Sequence, residues 1–148
     1  MRVHAAQEAK HVSTQPLQQV VQEDAAAVAT ASTLSTVASR APFAGTVSAV
    51  TYTPVAAVTG ANTNTRKVEL INRGQAGAGS TVIASLQFDS GVNAVAFDEK
   101  TIVLSGTPAN LAVAAGDILE WKSSAVATGL ADPGGSVTVT FTRGDVSA

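Results

Sequence analysis

Ser136-Val137-Thr138-Val139-Thr140-Phe141-Thr142-Arg143 alternates apolar and polar side chains without a break. Successive side chains of a β-strand point to opposite faces. Val137, Val139 and Phe141 therefore share one face, and Thr138, Thr140 and Thr142 share the other. The β-branched residues suit a pleated surface. Immediately before the run stands Asp132-Pro133-Gly134-Gly135, a cluster of turn residues that marks where the strand begins. The run reads as a strand with one face in a core.

Working outward from it, the same pattern recurs. In residues 66–72, Val68 and Leu70 share a face opposite Lys67, Glu69 and Ile71. In residues 81–88, Val82, Ala84, Leu86 and Phe88 point inward, with Ser85 and Gln87 outward. Residues 100–104 form a further strand, and the turn Ala115-Gly116-Asp117 leads into another over 118–122. Residues 43–53, closed by Pro54, make the first strand of the series, and 94–97 and 111–114 are short candidates. Seven or eight short strands spaced about ten residues apart are the pattern of a sandwich or jelly roll. The expected fold is an all-β, antiparallel, jelly-roll-like β-sandwich over residues 42–148 with an N-terminal, partly helical arm. The pattern does not choose between jelly-roll and immunoglobulin-like strand order. Helices of ten or more residues are missing from this stretch, which argues against βαβ units.

Residues 1–41 differ in composition. All twelve Gly lie after Pro42. Pro16 suits the first position of a helix. Leu17, Val20, Val21 and Val28 then form a narrow apolar stripe, broken by Asp24, over a segment rich in Ala. The expectation is a helix to about residue 29, weakening through the Thr and Ser residues that follow. Leu17, Val20, Val21, Val28, Leu34 and Val37 are too few to form a core of their own. They are expected to dock the arm on a partner or a sister subunit, the other outcome being a disordered tail.

Composition narrows the chemistry. Of 148 residues, 28 are Ala, 20 Val, 17 Thr and 12 Gly, more than half the chain. There is no Cys, which removes disulfides, thiolate metal sites and cysteine nucleophiles. A net charge of −2 without a basic cluster argues against a nucleic-acid groove. No apolar run approaches the roughly 20 residues of a membrane helix. The first residues, with Glu8 and Lys10, do not read as a secretory signal.

A nucleophile elbow requires Gly-x-Ser-x-Gly, and Gly79-Ser80 and Gly135-Ser136 lack the second Gly. The two histidines, His4 and His11, both lie in the arm and are seven residues apart, a poor spacing for one metal. Most carboxylates stand in turns, where Asp bonds nearby amides. Gly74-Gln75-Ala76-Gly77-Ala78-Gly79 is followed by a strand rather than a helix, so it reads as a hairpin loop and not a phosphate cradle. Trp121, which shares a face with Leu119, reads as core; exposed, it would be a platform for sugars. No catalytic residue, metal or cofactor is expected.

Four strings occur together: residues 70–77 (LINRGQAG), 91–98 (GVNAVAFD), 113–121 (VAAGDILEW) and 129–135 (GLADPGG). The set resembles the head fibre and capsid decoration proteins of tailed bacteriophages, over about residues 43–143. The resemblance implies a small β domain on the capsid exterior of the virion, made in the host cytoplasm and commonly a homotrimer. It further implies attachment to the major capsid protein and no enzymatic residues. The alternative expectation is a virion surface adhesin that binds host glycans through its loops or Trp121.

Overall fold

The computed structural model describes residues 18–144. Ten antiparallel strands build two sheets in a sandwich-like arrangement: β1 (Gln18–Ala25), β2 (Leu34–Arg40), β3 (Gly45–Pro54), β4 (Thr65–Asn72), β5 (Thr81–Gln87), β6 (Lys100–Thr101), β7 (Val103–Leu104), β8 (Ala112–Val113), β9 (Ile118–Val126) and β10 (Gly135–Arg143). A short 3-10 turn spans Pro108–Leu111. The first sheet runs β1-β10-β3-β6, with β8 also on β3; the second runs β2-β9-β4-β5-β7.

The decisive run is β10, and its faces divide as its alternation requires. Val137, Val139 and Phe141 are buried between the sheets, joined by Val47, Val50 and Tyr52 of β3. Val68, Leu70, Leu119 and Trp121 close the core from the second sheet. Two details depart from simple alternation. Residues 100–104 are not one strand: Ile102, fully buried, carries the chain from the first sheet to the second, so β6 and β7 belong to different sheets. A bulge beside Leu70 and Ile71 of β4 lets Ile83 and Ala84, neighbours in sequence, both face inward. Residues 94–97 make only an isolated bridge, Ala94 to Val58.

The helical arm is the main correction. Over the described part of the arm the chain forms β1 and β2, with no helix. β1 pairs along its whole length with β10, and β2 pairs with β9. The helical stripe misjudged the period. Val20 and Val21 are adjacent, so on a strand they face opposite sides. Helix propensity is a weak prior that tertiary pairing overrides. Ala25 and Val28, 5 % and 6 % exposed, belong to the core, and Ala31 turns the chain with φ 63°.

A buried polar group locks this segment down. Arg66 of β4 is fully buried. Its Nε donates to Leu130 O (2.7 Å), Nη1 to Ser32 O (2.8 Å) and Nη2 to Ala29 O (2.9 Å). Both sides of the β1–β2 connection are thus tied to the sandwich. Burial pulls Arg66 below its ordinary value, and the charges of Asp132 and Tyr52 work in the other direction. Asp132 is itself buried. It accepts from the Tyr52 hydroxyl, from Ser123 Oγ (2.6 Å) and from the Gly134 amide (3.0 Å). Among the described residues no buried side-chain N or O lacks a partner. Such networks are favourable only when fully satisfied.

Desolvation, then the hydrogen bond and charge of Asp132, push the Tyr52 hydroxyl far above its usual value. A group whose folded value is raised contributes stability below its unfolded value, about 10 for Tyr, and that contribution is lost as pH rises further. Tyr52 is the only tyrosine. Tyrosinate absorbance should therefore stay flat through pH of about 10 and rise only with unfolding; titration of the folded protein near pH 10 would contradict this.

Candidate partner interface

β1 and β2 are the outer strands of their sheets, and both lie on the same flank. Each has one long side without a strand partner among the described residues. The opposite margins carry only two-residue strands, β6, β7 and β8. A long unpaired edge invites another chain, and proteins usually blunt it with Lys, Pro or short length. β1 and β2 contain neither Lys nor Pro. Acid sits only near one end of β1, at Glu23 and Asp24.

The two outer faces differ in chemistry. On the first sheet the register sets Gln22, Thr138, Thr51 and Thr101 in one row across four strands. The flanking rows are Val20-Thr140-Ala49, Asp24-Ser136-Thr53 and Gln18-Thr142-Thr46. Asp24 is the one charged side chain in these rows. Gln18 Nε2 donates to Thr142 Oγ1 (3.4 Å), and Thr142 Oγ1 donates to Ser48 Oγ (2.7 Å). On the second sheet the face is charged: Lys67 pairs with Glu69 (3.4 Å) and Arg73 with Glu120 (3.8 Å), with Lys122 opposite Glu69. A shallow groove of about 210 Å³ lies on that face, lined by Ser35, Thr36, Val37, Arg73, Ile118 and Glu120.

At the end of the groove, the Ala114–Ile118 turn is fastened by Asp117. Its Oδ2 accepts from the Ala114 amide (2.9 Å) and Asn72 Nδ2 (3.0 Å). Desolvation works to raise the Asp117 carboxyl, but the Ala114, Asn72 and Gln75 donors outweigh it and hold it below the ordinary value.

The six residues expected to dock are not one stripe. Leu17 lies outside the described residues, as do His4, His11 and Pro16. Val28 is buried, and Val21 is half-buried against the core. Leu34, 37 % exposed, sits at the rim of the flank. Val20 (62 %) projects from the outer face of the first sheet and Val37 (69 %) from that of the second. Only the exposed ones remain available to a partner.

Trp121 is 3 % exposed and stacks 5.7 Å from Tyr52, so it is no sugar platform. Among the described residues no three His, Asp or Glu gather as a metal site would require. Sequence reasoning missed Phe97, which it placed in a short strand. Phe97 is 77 % exposed with φ 58°, and its amide donates to Pro54 O at 2.7 Å. It also read Asp132 as a turn residue only. Compared with known proteins, the chain matches no family model, no curated protein and no solved structure.

Proposed function

We propose that this chain is a capsid decoration or head fibre protein of a tailed bacteriophage. It binds the major capsid protein on the outside of the shell, and its fold is a jelly roll. The observation that carries the reading is the hydroxyl-rich outer face of the first sheet, whose rows hold a single charge at Asp24, bordered by Val20 and by the β1 edge, which pairs with no further strand among the described residues. A face with few charges loses little solvation when covered, which suits close packing on a repeated lattice. Further support comes from the strand order. β1-β10-β3-β6 faces β2-β9-β4-β5, and the first four strands alternate between the sheets. Jelly rolls recur in viral capsid domains, a fold-level analogy. The strings that resemble decoration proteins point the same way.

The test uses shells of the major capsid protein from the particle that carries this chain, stripped of the chain itself. Wild-type protein should co-sediment with them to saturation. Val20→Asp and Thr140→Lys put charge on the face without touching the core. Each should weaken binding about tenfold or more, since a buried unpaired charge costs more than 1.4 kcal/mol. Wild-type protein that stays in the supernatant would refute the capsid reading. Variants that bind as wild type would refute the assignment of the face.

A further inference from the structure

The register of β1 against β10 runs unbroken from Gln18 to Ala25, whereas β2 leaves Ala38 unpaired in a bulge against β9. A bulge twists an edge away from further pairing. β1 lacks that protection. It also lacks Lys and Pro, and six of its eight residues are exposed. The backbone N–H and C=O groups along its outer side meet no strand among the described residues. What satisfies such a row is another extended backbone, paired bond for bond.

The side chains specify which backbone. The odd-numbered residues of β1 share a face with Val137, Val139 and Phe141, toward the second sheet. Val21 is half-buried there, but Gln19 and Glu23 are exposed at the mouth between the sheets. An inward-pointing charge on an edge strand deters indiscriminate pairing. It admits a strand that brings a donor to the same place. The Glu23 and Asp24 carboxylates have no hydrogen-bond or ion-pair partner among the described residues.

β1 is itself such a strand. Set antiparallel against a second β1 about a two-fold axis through Val21, it places Val21 opposite Val21, Glu23 opposite Gln19 and Asp24 opposite Gln18. Each acid then faces a primary amide, which carries two N–H donors. Gln18 Nε2 uses one on Thr142 Oγ1 and keeps the other. Moving the axis by one residue breaks the match. Centred on Gln22, both acids face valines; centred on Val20, both run past Gln18.

We infer that two copies of this chain pair β1 to β1 in antiparallel register about Val21, joining their first sheets into one. The contact is isologous and closes at two copies. The axis stands normal to the sheet, so the two hydroxyl-rich faces look the same way and form one surface. The pairing does not depend on that surface binding a capsid.

The test is sedimentation equilibrium of the full chain. A contact through one strand pair is small and weak, so concentrations on the order of 100 μM are needed. Wild-type protein should approach twice the monomer mass of 14.8 kDa. Gln19→Glu sets acid against Glu23 at both symmetry-related places and should weaken the dimer about tenfold or more. Gln19→Glu combined with Glu23→Gln exchanges the partners and should restore it. Val103→Glu adds the same charge at the opposite margin of the second sheet and should dimerise as wild type. All three positions are exposed, and Trp121 emission verifies that each variant is folded. None lies on the hydroxyl-rich face, and no shells are used, so a failure here is distinct from a failure of capsid binding. Wild-type protein that stays monomeric would overturn the inference and leave the edge to a strand of another protein. So would a Gln19→Glu variant that dimerises normally, a double variant that stays monomeric, or a Val103→Glu variant that dissociates.

Discussion

Replacing Arg66 with methionine should lower the unfolding free energy by about 3–5 kcal/mol, since three part-buried carbonyls lose their donor at about 1–3 kcal/mol each. The guanidinium is fully buried and donates to three carbonyls in two loops. Met fills part of the space and donates nothing. Ala29, Ser32 and Leu130 would lose partners, and Asp132 would lose the favourable charge of Arg66. A domain of this size has about 5–15 kcal/mol in hand, so the loss is a large share. Urea denaturation followed by Trp121 fluorescence measures it. The β1–β2 connection should fray first, visible as faster amide exchange over residues 26–33. Adding Asp132→Asn to Arg66→Met should cost less than the two single changes summed, because the second removes the charge that the first strands. A loss under about 1 kcal/mol for Arg66→Met would mean that water reaches the guanidinium.

The second large effect is Trp121→Ala, expected to cost about 3–5 kcal/mol through lost burial and the cavity left behind. Trp121 sits between β2 and β4 in the second sheet and packs its ring against Tyr52 of the first. It therefore joins the two sheets at the centre of the core. Circular dichroism during thermal unfolding gives the readout once the only Trp is gone. Trp121→Phe should recover more than half the loss, because a ring still fills most of the site. An Ala variant that melts like wild type would place Trp121 at the surface and reopen the sugar-platform reading.

Much of the β framework was legible in the residues. β3, β4, β5, β9 and β10 follow from alternation and from the turns that bracket them. Turn residues act locally, and strand alternation needs only one buried face to be visible. β1 and β2 were not legible for the same reason in reverse. They are edge strands with little buried surface, so Gln18, Gln19, Gln22 and Ser35 carry no alternation to read. The Ala-rich stretch between them has a helical bias that no local signal cancels. Of the candidate site, exposed Val20 and Val37 were picked out, but on a wrong periodicity that joined them to buried Val28. Phe97 gave no signal, since exposure and a positive φ are set by what the loop rests on.

The sequence by itself determined that this is an antiparallel β protein, poor in reactive groups, with Val and Thr on opposite faces of its strands. Local physics suffices there: side chains two apart share a face, and Pro, Gly and Asp turn the chain. Only the tertiary structure decided that residues 18–40 complete the sheets. The bonds that hold them come from β10, β9 and the Arg66 guanidinium, all distant in the chain. It also decided which apolar residues face solvent, because exposure belongs to the assembled surface and not to any one strand.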